Sequence, residues 1–142
     1  MIVISGQWSV VSGWRIILRG MAKVKTYKDL VVWQKSMDMT AMLYQLVKKL
    51  PKEETYALSD QMRRAAISVP SNIAEGFGRS STKEYLHFLF ISYGSICELE
   101  TQLILSSRIN YLSKNETQPV MDLLSEIGKM INAIIKKLTP DP

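Results

Sequence analysis

Hydrophobic and polar residues follow the period of an α-helix along most of this chain. The clearest stretch runs from 58 to 79, where the apolar positions are Leu58, Met62, Ala65, Val69, Ile73 and Gly76. Steps of three and four residues place these positions on one face of a helix. On or beside the same face lie the polar residues Arg64, Ser68, Asn72 and Glu75. A polar stripe bordering an apolar one indicates side chains that hydrogen-bond between helices of a bundle.

Pro70 lies inside this second helix, which we expect to begin near Thr55 or Tyr56. It has no N–H to donate to the carbonyl of Ala66, and a proline costs about 3 kcal/mol in a plain helix interior. Because the apolar phase continues through Val69 and Ile73, we expect a kink at 68–71 rather than a chain reversal. Gly76 and Gly78 should end the helix.

The first helix is predicted from about Asp29 to Leu50, where Pro51 stops it. Its predicted buried stripe consists of Leu30, Trp33, Met37, Ala41, Tyr44 and Val47.

Two capping boxes introduce the third and fourth helices. Ser81 with Glu84 should begin a helix that extends to about Arg108, and Ser113 with Glu116 should begin the last one. The third stripe is Tyr85, Leu89, Ser92, Ile96, Leu99 and Leu103. The fourth stripe is Val120, Leu123, Ile127, Met130, Ile134 and Leu138, before Pro140.

Four helices with short connections predict an all-α fold, an antiparallel up-down-up-down bundle that forms one domain over residues 21–142. Residues 1–20 differ from the rest, because they show no helical stripe and carry no charge before Arg15. We interpret them as a poorly structured N-terminal extension. Our hypothesis is that Met21 is the native start of the protein.

Composition and charge narrow the function only slightly. The net charge of +5 and the pI near 9.4 permit an anionic partner such as nucleic acid without requiring one. Cys97 is the single cysteine in the sequence, which excludes an intrachain disulfide and fits a reducing cytoplasm. No uncharged run approaches the ~20 apolar residues that span a bilayer.

The sequence contains only weak signals for catalytic or metal-binding residues. Glu84 and His87 have the spacing of a di-iron pair, but His87 is the only histidine in the sequence and a complete site needs two such pairs. Cys97 has no sequence-evident base and is expected in or near the core. Glu75 and Glu98 are interpreted as buried or half-buried acids facing Arg64 rather than as paired catalytic carboxylates. The sequence therefore predicts no catalytic residue, metal site or cofactor.

The predicted topology gathers positive side chains at one end of the bundle. The start of the first helix, the end of the second, the start of the third and the end of the fourth meet there. That end carries Lys23, Lys25, Lys28, Arg79, Lys83, Lys136 and Lys137. These residues are the candidate phosphate contacts. Lysines in the last turn of a helix also complement the helix dipole, which is the alternative reading for Lys136 and Lys137.

Three motifs carry a resemblance to a known family. They are Leu30-Val31-Val32-Trp33-Gln34, the stretch from Gln61 to Gly76 (QMRRAAISVPSNIAEG), and the stretch from Gly94 to Leu103 (GSICELETQL). The chain resembles, from about Tyr27 to Leu138, the four-helix bundle proteins encoded in intervening sequences of bacterial large-subunit ribosomal RNA genes.

The resemblance implies a bundle that assembles into a ring, typically a pentamer. It also implies a relation to retroelement accessory variability determinant proteins, which partner a reverse transcriptase and bind nucleic acid. No enzymatic activity is established for the family. The motif positions carried over are Arg64, Ser68, Asn72, Glu75, Ser95 and Glu98. Their residue types suit hydrogen bonds between helices.

These observations together predict a non-enzymatic cytoplasmic homo-oligomer that binds RNA or an RNA–DNA intermediate through its basic end. The alternative is a protein–protein adaptor or scaffold with no nucleic-acid contact.

Overall fold

A computed structural model describes residues 24–141, and every regular element in that range is helical. The long helices are α1 (Val31–Val47), α2 (Leu58–Phe77), α3 (Thr82–Arg108) and α4 (Lys114–Leu138). Single 3-10 turns at Tyr27–Asp29 and Lys52–Glu54 precede α1 and α2. The all-α prediction is therefore confirmed. The extension predicted for residues 1–20 and the start proposed at Met21 lie outside the described range.

α3 and α4 begin at the predicted N-cap residues, Ser81 and Ser113. Ser113 Oγ accepts from the Glu116 N–H at 3.1 Å, and the Glu116 carboxylate accepts from the Ser113 N–H at 2.9 Å. Ser81 likewise accepts from the Glu84 N–H at 3.2 Å, but the Glu84 carboxylate accepts from the Ser81 hydroxyl. Each cap supplies partners for backbone groups that a helix end leaves unpaired.

α1 and α2 are shorter than predicted. The N–H groups of Lys49 and Leu50 bond three residues back, so the chain tightens into a 3-10 turn before Pro51 and α1 ends at Val47. The turn at Lys52–Glu54 then delays the start of α2 to Leu58. At its other end α2 stops at Phe77 with Gly78 as C-cap, as the glycines predict.

The four helices form an antiparallel bundle. α1 and α3 each pack against both α2 and α4. The contacts show that neighbouring helices run in opposite directions. α3 contacts α2 through the pairs Ser92–Val69 and Ser106–Met62. α4 contacts α1 through Lys35–Glu126, and it contacts the turn after α1 through Lys49–Glu116. This arrangement is the predicted up-down-up-down bundle.

The predicted stripes of α2 and α3 face the core. Every stripe residue of α3 is buried, and in α2 only Leu58 is less than fully buried. In α4 the deepest residues include Leu124 and Ile131, one position beyond the predicted Leu123 and Met130, which are half-buried.

The predicted stripe of α1 is wrong in its middle part, although Leu30 and Val47 are buried and Trp33 is half-buried against the core, as predicted. Met37, Ala41 and Tyr44 are exposed, whereas the buried face carries Val32, Ser36, Met39, Leu43 and Leu46 together with Val47. α1 has two apolar stripes offset by one residue, and both repeat at helical spacing. Periodicity alone does not choose between them. Contact with α2 and α4 selects the one that contains the buried Ser36.

α2 continues through Pro70 as one helix, so the expected absence of a chain reversal is confirmed. The kink at 68–71 stays a prediction. Carbonyl groups around the proline receive side-chain donors: Thr40 Oγ1 lies 3.1 Å from Ala66 O, and Asn72 Nδ2 donates to Ser68 O at 2.7 Å. Ser92 donates to Val69 O at 2.9 Å. Asn72 lies within α2 itself, whereas Thr40 and Ser92 belong to α1 and α3. Sequence reasoning missed Thr40 and Ser92, because helices distant in sequence supply them.

α3 is long and apolar enough to cross a bilayer by length and composition alone. Its uncharged run from Tyr85 to Cys97 is bounded by Lys83 and Glu84 on one side and by Glu98 on the other. In this fold the helix packs against α2 and α4.

Candidate nucleic-acid interface

The antiparallel topology places the start of α1, the end of α2, the start of α3 and the end of α4 at one end, which we call the lysine end. The turn Tyr27–Asp29 packs against both α1 and α2 there. Six of the seven predicted cations belong to this end: Lys25, Lys28, Arg79, Lys83, Lys136 and Lys137. Lys23 lies outside the described residues.

The five described lysines of this end are exposed: Lys25, Lys28, Lys83, Lys136 and Lys137. Within residues 24–141 none of them forms an ion pair. Lys28 Nζ lies 6.0 Å from the centre of the Tyr27 ring. A cation without a carboxylate partner keeps its full charge available to an anionic ligand.

Arg79 differs from these lysines. Its Nη2 lies 2.7 Å from Glu75 Oε1, and its guanidinium carbon lies 4.7 Å from the centre of the Phe88 ring. An ion pair and a cation–π contact together fix the side chain against α3. Arg79 therefore ties the end of α2 to α3, and it is less free than the lysines to meet a phosphate.

Asp29 is an acidic group within the lysine end. Its carboxylate accepts from the N–H groups of Lys25 and Thr26 at 2.8 and 3.0 Å. Bonds from the backbone of Thr26 and Lys25 lower the pKa of Asp29 below its ordinary value. The charge of Asp29 is therefore held at the backbone of the turn, and within residues 24–141 it forms no ion pair with a lysine side chain.

Three of the six motif positions, Ser68, Asn72 and Ser95, meet in one hydrogen-bonded cluster. Ser95 Oγ lies 2.7 Å from Ser68 Oγ, and Asn72 Nδ2 donates to the same Ser68 oxygen at 2.9 Å. Within this cluster, the Ser68–Ser95 bond joins α2 to α3, and Asn72 supports it from within α2. The cluster joins the helices and holds no metal-ligating group.

The two charged motif residues of α2 pair within that helix, and Glu98 on α3 forms no ion pair among residues 24–141. Arg64 Nε lies 3.0 Å from Asp60 Oδ2, and Glu75 pairs with Arg79. Glu75 and Glu98 are exposed. The interpretation of these acids as buried groups facing Arg64 is therefore wrong. On a helix the residue four positions away is the nearest partner, which explains both pairs.

The described residues show no assembled reaction centre. No group of three metal-ligating side chains lies together in residues 24–141. His87 is exposed and contacts Phe88 edge-on, with ring centres 5.4 Å apart, while Glu84 caps α3. Cys97 is exposed, which corrects the expected core position. Burial raises the pKa of Tyr85, so its hydroxyl stays protonated near neutral pH.

The opposite end of the bundle also carries cations without ion pairs in the described part. They are Lys48, Lys52, Arg108 and Lys114. Each of them lines one of two cavities among the described residues. The lysines of the lysine end lie in helix ends and turns. Sequence reasoning did not single out these cavities, because their walls come from turns whose shape only the folded chain shows.

Residues 24–141 therefore define a small antiparallel four-helix bundle protein with exposed lysines at one end. Residues 28–133 match the family described as the 23S rRNA-intervening sequence protein, and the chain belongs to that family. This finding confirms the resemblance carried by the three motifs.

A solved structure shares the fold. It is a protein of unknown function from the S23 ribosomal protein family of Bacteroides thetaiotaomicron. It matches with a TM-score of 0.70 and 28% identity, over 75% of this chain and 99% of its own length. No curated protein matches the chain.

Proposed function

We propose that this chain is a non-enzymatic, cytoplasmic accessory protein that binds RNA or an RNA–DNA intermediate through the lysine end. The proposal rests on five exposed lysines that form no ion pair among the described residues: Lys25, Lys28, Lys83, Lys136 and Lys137. Lysines that meet phosphates release condensed counterions, and this release drives sequence-independent binding.

Self-association is part of the proposal. Large apolar side chains are exposed on α1 (Val31, Met37, Met42, Tyr44) and on α3 (Phe90, Ile91, Ile104, Leu105). Exposed apolar patches on a soluble bundle support contact with another protein surface. A closed ring such as the pentamer implied by the family would repeat the lysine end around its axis. Repetition of a weak site raises the overall affinity for a long polyanion.

A matched pair of triple variants tests the lysine end. One variant carries Lys83→Gln, Lys136→Gln and Lys137→Gln. The control carries Lys48→Gln, Lys52→Gln and Lys129→Gln, which removes the same charge from exposed lysines elsewhere. Filter-binding titrations with structured RNA at several salt concentrations give the affinity and its salt dependence.

We expect the first variant to bind more weakly and to lower the slope of log affinity against log salt by about 2 to 3. The control should retain most of the affinity. Equal losses of RNA affinity in the two variants, or a wild-type affinity that does not change with salt concentration, would refute the lysine-end mechanism.

The exposed apolar residues of α1 and α3 support a second candidate, a protein–protein adaptor without nucleic-acid contact. A reverse transcriptase is one candidate partner. Pull-down before and after nuclease treatment separates the two functions. A partner that stays bound after nuclease digestion, together with absent RNA binding at low salt, would favour the adaptor.

A further inference from the structure

A cavity of about 630 Å³ lies at the corner between α3 and α4. Its walls come from the last turns of α3, the connecting turn and the first two turns of α4. Asn110 in the connecting turn has a φ of 63°, a left-handed conformation that asparagine tolerates better than most residues. Small-molecule sites occupy about 300 to 1,000 Å³, so the volume fits one compact ligand.

The cavity is positively charged. Arg108 and Lys114 line it, neither forms an ion pair in residues 24–141, and no carboxylate is among the lining side chains. Two acids of α4 lie close to these residues in the sequence, and both are engaged elsewhere: Glu116 Oε2 pairs with Lys49 Nζ at 3.0 Å, and Asp122 Oδ1 accepts from Gln118 Nε2 at 2.7 Å. The Glu116 N–H at the start of α4 is already bonded to Ser113. The two cations therefore supply the attraction for an anion.

The remaining walls suit a flat, partly polar group. Ile104, Leu112 and Met121 give an aliphatic surface, and Asn110 and Gln118 add side-chain amides. Because Gln118 donates its N–H to Asp122, its amide oxygen is left as an acceptor. Amides recognise the hydrogen-bonding edges of bases, and aliphatic side chains contact their faces.

We propose that this corner cavity binds a single nucleoside 5′-phosphate. The phosphate meets Arg108 and Lys114, and the base lies on Ile104 and Met121 within reach of Asn110 and Gln118. The nucleotide is either free or the end of a single strand, since both present the same chemistry. This site is separate from the lysine end and does not require the function proposed for those lysines.

The second cavity provides a contrast within the same end of the bundle. It is smaller, about 350 Å³, and lies between α1 and α2. Its Arg63 is already hydrogen-bonded within the protein, because Nη2 donates to Thr55 O at 3.1 Å. Its lining contains no side-chain amide. Lys48 and Lys52 line it and provide a charge-matched control.

Calorimetry of the full chain with uridine and adenosine 5′-monophosphates tests the proposal, with uridine and inorganic phosphate as comparison ligands. We expect Arg108→Gln with Lys114→Gln to weaken nucleotide binding by about tenfold or more, equivalent to about 1.4 kcal/mol. Lys48→Gln with Lys52→Gln should leave it within about twofold. Asn110→Gly keeps the positive φ and should reduce discrimination between the two bases while phosphate dependence persists.

A 5′-phosphorylated single-stranded oligonucleotide distinguishes a site for free nucleotides from a site for the end of a single strand. Tight binding of the free monophosphates supports a free nucleotide, and binding of the oligonucleotide alone supports a strand end. Inorganic phosphate binding as tightly as the nucleotides, an equal loss in the Lys48/Lys52 control, or no binding of any probe overturns the proposal. Loss of RNA binding in the lysine-end variant with nucleotide affinity unchanged shows that the two sites are independent.

Discussion

The hydroxyl of Thr40 lies 3.1 Å from the carbonyl oxygen of Ala66, the backbone acceptor that Pro70 deprives of its helical donor. The same hydroxyl lies 2.8 Å from Ser36 O, so its proton serves two acceptors. α1 thereby supplies a donor to α2 at the position where the proline removes one. This contact explains how a buried proline is accommodated in the interior of α2.

Replacement of Thr40 by valine should destabilise the protein by about 1 to 3 kcal/mol, because it leaves the Ala66 carbonyl without its donor. Urea denaturation followed by circular dichroism gives the free energy of unfolding. Thr101→Val is the matched control, since Thr101 is exposed and, in the part of the chain that the structure describes, its hydroxyl donates to Cys97 O in its own helix and to no other helix. A control as destabilised as Thr40→Val would contradict the explanation.

A double-mutant cycle tests the link to Pro70. Pro70→Ala restores an N–H for the Ala66 carbonyl, so Thr40→Val should cost less in that background. We expect a coupling free energy of about 0.5 kcal/mol or more. Additive effects would show that Thr40 does not act through the acceptor freed by the proline.

Gly76 sits at a close approach of α2 and α3. A Cβ at this position would lie 2.7 Å from Phe88 Cβ and 3.1 Å from Tyr85 Cδ1, whereas a Cβ at Gly94 would meet nothing within 4 Å. We expect Gly76→Ala to destabilise by about 1 to 3 kcal/mol through overpacking. Gly94→Ala should stabilise by about 0.5 to 1 kcal/mol through helix propensity. Thermal unfolding of both variants should show opposite shifts, and shifts of the same sign would count against the close approach.

Asn72 supports the Ser68–Ser95 contact through two hydrogen bonds to Ser68. Asn72→Ala should lower the free energy of unfolding by about 1 kcal/mol relative to Asn132→Ala. Asn132 is exposed on α4, so it reports the gain in helix propensity without the loss of those bonds. Chemical denaturation measures the difference, and light scattering shows whether the oligomer also changes. Equal changes in the free energy of unfolding for Asn72→Ala and Asn132→Ala would show that the hydrogen bonds of Asn72 do not stabilise the Ser68–Ser95 contact.

The pKa of Glu116 is lowered from 4.5 to about 2 by the Ser113 N–H, then by the Lys49 ammonium and the Ser113 hydroxyl. The folded state therefore favours the ionised form. The stability it contributes is complete above pH 4.5 and is lost as the pH falls through about 2. Glu116→Gln should be less stable than the native protein at pH 7, and the difference should shrink below pH 4.5.

Denaturation curves between pH 7 and pH 2 check this prediction. Glu53→Gln is the control, because Glu53 is exposed and forms no ion pair among the described residues. A stability difference between the native protein and Glu116→Gln that stays constant down to pH 2 would contradict it.

Much of the fold could be predicted from local patterns. The capping serines at 81 and 113, the stripes of α2 and α3, and Gly78 at the end of α2 follow from interactions within a few residues of each other. The cations of the lysine end follow from the same information once the topology is up-down-up-down. These features depend on local hydrogen bonds and on helical periodicity, and both are set by residues close together in the sequence.

The buried face of α1, the donors around Pro70 and the corner cavity depend on contacts between residues far apart in the chain. The α1 sequence offers two apolar stripes, and only packing against α2 and α4 selects the one with Val32 and Met39. Thr40 and Ser92 reach α2 from other helices, which no spacing rule reveals. The sequence by itself thus determined four helices, the serine caps of α3 and α4, and the antiparallel order of the helices. The tertiary structure decided which faces are buried and which side chains line a cavity, because burial depends on the neighbours that the fold brings into contact.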